Sequence, residues 1–219
     1  DNYRVLFLQC GASMQFAMLP YNLLGQGGTP NYLYTGIWGK KAIAEARHLG
    51  GAHVAASSEA NGLIAVPRQT DIALSSDAAY LHYTSNETIG GLEFDGIPEV
   101  GEAPLVADMS SDILSREIDV SPFGLIYAGA QKNIGPSGLV VVIVREDLLG
   151  RARSACPTML NYQVAADNGS MYNTPATFSW YLSGLVFEWL EVGEDAPIVG
   201  NVPGTVVGDA SIPDGEKVG

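Results

Sequence analysis

The chain has 219 residues, 47% of them hydrophobic, and a formal net charge of −13. This length and composition suit a folded domain with a sizeable core and exclude a disordered chain. The excess of acids, 24 against 11 basic residues, argues against nucleic acid as a partner, because phosphate backbones bind to basic surfaces. It leaves open a small phosphate ligand, which a helix N-terminus holds without net positive charge.

Cysteine usage and hydropathy predict a soluble cytoplasmic protein. The two cysteines, Cys10 and Cys156, stand in unlike sequence contexts, which favours reduced thiols over a disulfide framework. No apolar run approaches the roughly 18 residues that a membrane-spanning helix needs, and the first residues do not resemble a signal peptide. The three histidines show no metal-ligand spacing, so we predict no metal site.

The first elements of the chain are a strand, a turn of small residues and a helix. Residues 4–8 form the predicted strand, and residues 14–24 carry apolar side chains at helical spacing. Ser13 is the predicted N-cap of this helix. The free N–H groups at the helix start are either simply capped or available to a phosphate.

A tryptophan follows the next turn. Residues 25–30 form a turn rich in glycine and proline, residues 32–39 follow it, and residues 40–49 have a helical pattern. Trp38 therefore has two interpretations. It is either a core aromatic residue or a flat surface against which a planar ring stacks.

Two short strands and a polar loop come next. Residues 52–56 and residues 79–84 are predicted strands, and the second strand ends in the loop 85–91. By pattern alone, Asn86 and Thr88 are ordinary turn residues of this loop.

An aspartate ends the following strand. Residues 105–107 are apolar and predict a buried strand, and Asp108 comes directly after it. In open α/β sheets, ligands bind at the carboxyl ends of the strands. Asp108 is therefore either a helix cap or a ligand contact.

A single lysine lies on the connection between two buried strands. The strands are residues 123–128 and 139–144, and Lys132 lies between them among glycines and Pro136. A bare loop lysine is usually solvated, but glycines allow the backbone to approach a ligand closely. An amine that partial burial makes less basic is able to form a Schiff base with an aldehyde.

The last part of the chain predicts a helix and then a segment of different composition. Residues 146–151 suggest a short helix, and residues 177–190 suggest a strongly apolar one. Asn173 and Thr174, before Pro175, have the composition of a helix start. We predict one large domain over residues 1–190. Residues 191–219, rich in glycine, proline and acids, form an atypical tail, predicted to be disordered or read from a shifted frame.

Several of these segments together resemble one enzyme family. Residues 127–138 are similar to the cofactor-lysine segment of the phosphoserine aminotransferases, which are class-V pyridoxal-phosphate enzymes of fold type I. The Tyr-x-x-x-Gly-x-Trp segment that ends at Trp38 and the motif Asn86-Glu87-Thr88 are also typical of this family. The order of Asp108 before Lys132, with one strand between them, is typical of fold type I enzymes. The resemblance extends from about residue 3 to about residue 190.

The resemblance implies an α/β fold, with three layers (α/β/α) around a mixed, mostly parallel central sheet. It implies pyridoxal 5′-phosphate as cofactor and Lys132 as the residue that forms the Schiff base and then shuttles a proton. Asp108 would pair with the protonated pyridine nitrogen, Trp38 would stack on the ring, and Thr88 would approach it. The implied cofactor-binding residues are Ala12, Ser13, Trp38, Thr88, Asp108, Gln131, Lys132, Asn173 and Thr174.

The resemblance also implies a reaction and an assembly. The family transfers an amino group between L-glutamate and 3-phosphohydroxypyruvate to give O-phospho-L-serine in serine biosynthesis, and it is linked to pyridoxine biosynthesis. Asn173 and Thr174 would reach across a homodimer interface to the partner's cofactor phosphate.

Three other functions remain to be weighed. We expect the substrate-binding segments at both ends of the family to be absent, so one alternative is a truncated cofactor-binding domain without full activity. A second is an aminotransferase for alanine or glyoxylate, which the motifs around Thr88 and Asn173 disfavour. A nucleotide-binding α/β domain is disfavoured too, since no Gly-x-Gly-x-x-Gly follows a strand.

Overall fold

A mixed sheet organises the chain in the computed structural model, which describes residues 2–25 and 27–192. The strands are β1 Tyr3–Leu8, β2 Thr29–Tyr34, β3 His53–Ser57, β4 Ala78–Thr84, β5 Asn86–Glu87, β6 Leu92–Glu93, β7 Leu105–Asp108, β8 Phe123–Gly129 and β9 Val140–Arg145. The α-helices are α1 Ala12–Leu23, α2 Ile37–His48, α3 Tyr162–Asp167 and α4 Thr177–Val192.

Seven of these strands form one sheet in the order β1-β9-β8-β7-β4-β2-β3, and β5 and β6 form a separate hairpin. The pairs from β3 to β8 are parallel, whereas β9 pairs antiparallel with both β8 and β1. The predicted mixed, mostly parallel sheet is therefore confirmed.

Alternating side chains of the strands fill a hydrophobic core on each face of the sheet. On β8, for example, Leu125 and Tyr127 pack in the core beneath α1, α2 and α3. Ile126 and Ala128 pack in the opposite core, where Trp180 of α4 also lies. All residues of β8 are buried, as expected for a strand that is covered on both faces. The predicted three-layer arrangement is confirmed.

The starts of two helices differ from the prediction. Ser13 is not the N-cap of α1: Gly11 takes that position with extended backbone and no side-chain hydrogen bond, so Ser13 falls in the first turn. Helix α2 begins at Ile37, three residues before the predicted start, and Trp38 lies in its first turn.

Other differences concern segments with weak local patterns. Strand β2 begins at Thr29, inside the predicted turn at residues 25–30. It contains Pro30, and its register with β4 shifts there, as is usual for a proline inside a sheet. Helix α3 lies in a segment for which no helix was predicted, and the predicted helix at residues 146–151 is a single 3-10 turn, Glu146–Leu148.

The predicted division into a domain and a C-terminal tail stays a prediction. Helix α4 continues through Glu191 and Val192, and the rest of the predicted tail, residues 193–219, lies outside the described residues. Within residues 2–25 and 27–192, none of the helices combines the length and apolar character that crossing a membrane requires.

Candidate active site

The sheet topology brings the ends of several strands to one edge. The parallel strands β4, β7 and β8 all finish there, and β1 also ends there because it runs antiparallel to β9. Chain order along the sheet reverses between β2 and β4, which is where α/β folds bind ligands. We call the cavity at this edge the strand-end cavity. Its lining residues are Gly11, Ala12, Ser13, Trp38, Thr84, Asn86, Thr88, Asp108, Ser110, Ser111, Gln131 and Lys132.

Asp108 is a buried carboxylate held in a fixed position. It is the last residue of β7 and pairs with Tyr127 of β8. The backbone N–H and the hydroxyl of Ser110 donate to its Oδ1 atom, at 3.0 Å and 2.6 Å. The Ser110 hydroxyl in turn accepts from the N–H of Gly129 at 2.9 Å. Asp108 is thus anchored to the ends of two strands.

The surroundings of Asp108 shift the pKa of its carboxyl group in opposite directions. Burial raises the pKa of Asp108, while hydrogen bonds from Ser110 and Tyr127 and the charge of Lys132 lower it. Behind it, the Tyr127 hydroxyl lies 2.9 Å from Nε2 of His82. Burial lowers the pKa of His82 to about 3, so this ring is neutral and no cation competes with Lys132 from that side.

Lys132 places its amine inside the strand-end cavity. The Nζ atom donates to the Thr88 hydroxyl, which donates to the Ser111 hydroxyl at 3.0 Å. Burial lowers the pKa of Lys132, against the opposing charges of Asp108, Asp112 and Glu87. A lysine with reduced basicity in a cavity is a suitable nucleophile towards an aldehyde.

Helix α1 starts at the wall of the same cavity. Ala12 and Ser13 line it, and Gly11 caps the helix without a side-chain hydrogen bond. The first N–H groups of a helix carry partial positive charge and lack partners within the helix. This helix start is therefore suited to an anionic group such as a phosphate.

Trp38 and Gln131 complete the walls. Trp38 is half-buried, and the ammonium group of Lys41 lies 4.6 Å from the centre of its ring, a cation–π contact. Gln131 is exposed, and its side chain folds back over Gly129, where an added Cβ would lie 2.6 Å from Gln131 Oε1. The flat indole surface is available to a planar ligand in the cavity.

Asn173 and Thr174 lie apart from the other candidate residues. They do not line the strand-end cavity and are exposed. The side chain of Gln9 donates to the Thr174 carbonyl, and the Asn173 amide donates to Gln9 Oε1 at 3.3 Å. Their contact with a second subunit stays a prediction.

Sequence reasoning missed three hydroxyl side chains of the cavity. Ser110 and Ser111 lie two and three residues after Asp108 and hold Asp108 and Thr88 in place, so their position in the sequence was the available signal. Thr84 ends β4, and its buried hydroxyl has no hydrogen-bond partner among the described residues. The described residues contain no cluster of three His, Cys, Asp or Glu side chains that would suit a metal ion.

The family model for class-V aminotransferases matches residues 1–198 of the chain. The phosphoserine aminotransferase of Azotobacter vinelandii is 74% identical over 191 residues, which are 87% of this chain and 53% of that protein. The enzyme of the same name from Pseudomonas entomophila is 73% identical over the same shares. The chain thus spans about half the length of the curated relatives it matches.

Solved structures agree with these sequence matches. Phosphoserine aminotransferase from Bacillus circulans subsp. alkalophilus superposes with a TM-score of 0.84 at 54% identity, covering 87% of this chain and 53% of that one. The pyridoxal-phosphate-bound phosphoserine aminotransferase from Trichomonas vaginalis gives a TM-score of 0.82 at 42% identity, with coverages of 91% and 56%. On its sequence and its fold, the chain belongs to the class-V aminotransferase family.

Proposed function

We propose that the chain forms the cofactor-binding part of a phosphoserine aminotransferase, which moves an amino group between L-glutamate and 3-phosphohydroxypyruvate. One observation carries this proposal above the others: the amine of Lys132 and the buried carboxylate of Asp108 lie in one cavity with the uncapped start of α1. The identity of 74% to a phosphoserine aminotransferase supports the choice of substrates.

The residues of the strand-end cavity fit pyridoxal 5′-phosphate. When bound, this cofactor supplies an aldehyde that links to amines and a ring that accepts electrons. The start of α1 at Ala12 and Ser13 would hold its phosphate, and Trp38 would cover one face of its ring. Asp108 would keep a proton on the pyridine nitrogen, because a buried carboxylate favours a paired cation.

Two further residues would act on the reacting atoms. Lys132 would anchor the cofactor through its Nζ atom and, once released, carry a proton from the substrate α-carbon. Thr88 already accepts a hydrogen bond from this amine, so its hydroxyl would set the position of Nζ near the ring. Gln131 lines the same wall and completes the proposed binding set within this subunit.

The proposed assembly is a cytoplasmic homodimer with shared active sites. Asn173 and Thr174 would hold the cofactor phosphate of the partner subunit. The surface beside them supports this, since Met171 and Tyr172 are 60% and 52% exposed, and exposed apolar patches mark interaction surfaces. The proposed pathway is serine biosynthesis, with a link to pyridoxine biosynthesis.

A specific observation favours a second candidate, a cofactor-binding domain without full catalytic activity. Lys132 is the one basic side chain among the described residues that line the strand-end cavity. Each of the proposed substrates carries two anionic groups, either a phosphate and a carboxylate or two carboxylates, and needs further cations to hold it for reaction. The half of the relatives that this chain does not cover is where we expect those cations.

An absorbance experiment tests the proposal. The purified chain is mixed with pyridoxal 5′-phosphate, reduced with borohydride and digested, and the modified peptide is mapped by mass spectrometry. We expect a new visible band and modification at Lys132, and neither in the Lys132→Ala variant. A band that survives in Lys132→Ala would overturn the assignment of the lysine. In a separate, unreduced sample, loss of the band on adding glutamate would favour the aminotransferase over the second candidate.

A further inference from the structure

Glu87 is a buried acid just behind the strand-end cavity. It is 1% exposed and lies in the β5–β6 hairpin between Asn86 and Thr88. Its Oε2 atom accepts the N–H of Trp38 at 2.9 Å, and its Oε1 atom accepts the N–H of Gly39 at 2.8 Å. Both donors belong to the first turn of α2, so Glu87 caps this helix from a distant part of the chain.

The local sequence of α2 provides no cap of its own. Gly36 occupies the N-cap position without a side chain, and the first turn contains no acid. Uncapped N–H groups that are buried cost free energy. The carboxylate of Glu87 satisfies two of them and lies where the partial positive charge of the helix start favours an anion.

Two glycines leave the space that this carboxylate occupies. A Cβ atom at Gly36 would lie 2.5 Å from Cδ of Glu87, and one at Gly39 would lie 3.3 Å from Oε1. Burial raises the pKa of Glu87, while the N–H donors of Gly39 and Trp38 and the charge of Lys132 lower it. The carboxylate is therefore fitted to this position rather than solvated.

We propose that Glu87 is a positioning residue that fixes Trp38 relative to Thr88, so that the two walls of the strand-end cavity keep their separation. Glu87 accepts the N–H of Trp38 itself and of the next residue, Gly39, and Thr88 is the next residue after Glu87. Thr88 also holds the amine of Lys132. The identity of the ligand in this cavity rests on the proposed function, but the link between the two walls does not.

Amide hydrogen exchange of the cofactor-free chain tests the link directly. In Glu87→Gln, one acceptor oxygen is replaced by an NH₂ group, so we expect the amides of Trp38 and Gly39 to exchange about tenfold faster. Glu45→Gln, the same change further along α2, is the matched control. Gly36→Ala, which crowds the carboxylate from the helix side, should give the same effect if Glu87→Gln folds poorly. Unchanged exchange in both variants would overturn the proposal.

The second measurement uses the cofactor-loaded chain. We expect Glu87→Gln to release pyridoxal 5′-phosphate about tenfold faster and to reduce the quenching of tryptophan fluorescence by the bound cofactor. If Glu87 acts through Trp38, Glu87→Gln should have little further effect on release in a Trp38→Ala chain. Fully additive effects on release would contradict the positioning role.

The two measurements separate this inference from the proposed function. A wild-type chain that takes up no cofactor would contradict the proposed function, while exchange at Trp38 and Gly39 would still decide the role of Glu87. Conversely, normal cofactor uptake with unchanged exchange and release in Glu87→Gln would contradict only the role of Glu87.

Discussion

Protonation in the strand-end cavity depends on burial as much as on charged neighbours. His82, Tyr127 and Asp108 form one buried row, in which the hydroxyl of Tyr127 contacts both other side chains. Burial disfavours charge on His82 and Asp108 alike, but only Asp108 has a cation, Lys132, close enough to oppose it. The row therefore supplies a single carboxylate to the cavity and a neutral ring behind it.

His82 makes a pH-dependent contribution to stability whose sign follows from its pKa. The pKa is about 3 in the folded chain, whereas the ordinary pKa of an exposed histidine is 6.5. Between these values the unfolded chain binds a proton that the folded chain does not. The free energy of unfolding should therefore fall as pH falls through this window, by about 1.4 kcal/mol per pH unit from this group alone.

His82→Gln removes this contribution. Urea denaturation at a series of pH values from about 7 to about 4.5 should show a shallower loss of stability in the variant than in the wild-type chain. His48→Gln, at the exposed end of α2, serves as the control. Parallel curves for His82→Gln and wild type would show that the buried ring does not set the acid sensitivity.

At the scale of elements, strand β8 carries an irregularity that alternation does not predict. Its register with β7 shifts between Leu105 and Val106, which pair with Phe123 and Leu125. Gly124 is the extra residue, as in a β-bulge. Because of it, Phe123 packs in the α4-side core and Leu125 in the opposite one. The bulge sets the register in which Tyr127 lies beside Asp108.

Gly124→Ala should destabilise the fold. The added Cβ would lie 2.8 Å from Cβ of Pro104 and 2.9 Å from Cδ1 of Leu148, and a proline ring has little freedom to move away. We expect a loss of about 1–3 kcal/mol in the free energy of unfolding, measured by urea denaturation. Gly96→Ala, whose Cβ would meet no atom within 4 Å, should change it by less than about 0.5 kcal/mol. Equal effects of the two substitutions would show that the space around Gly124 does not limit the side chain there.

The sequence predicted those elements whose ends and burial are determined by nearby residues, and it missed those that depend on distant parts of the chain. The apolar runs of β8 and β9 are recognisable from their local sequence. Asp108 and Lys132 come into one cavity because Asp108 ends β7 and Lys132 comes shortly after the end of β8, its neighbour in the sheet. The start of α2 was not predictable in this way, because its cap is Glu87, 49 residues from Trp38. Strand β2 was obscured by Pro30, which only the register shift accommodates.

At the scale of the whole molecule, helix α4 and the loop before it expose large apolar side chains. Phe178 and Tyr181 of α4 are 70% and 64% exposed, and they follow the loop that carries Asn173 and Thr174. Exposed aromatic residues are enriched where proteins associate. Asn173 and Thr174 do not line the strand-end cavity of their own chain. Their position next to exposed aromatic side chains is consistent with the proposed shared active site.

Hybrid dimers of two variants test the shared site. In Lys132→Ala the cofactor has no amine to link to, and in Asn173→Ala we expect its phosphate to lose a hydrogen bond and its release to be about tenfold faster. If Asn173 serves the site of the partner subunit, a dimer with one chain of each kind contains one site with both residues intact and one with neither. Differently tagged chains allow this hybrid to be purified. Loss of the visible band on dialysis should then be as slow for its single occupied site as for wild type. Release as fast as from the Asn173→Ala homodimer would mean that each chain binds its cofactor alone.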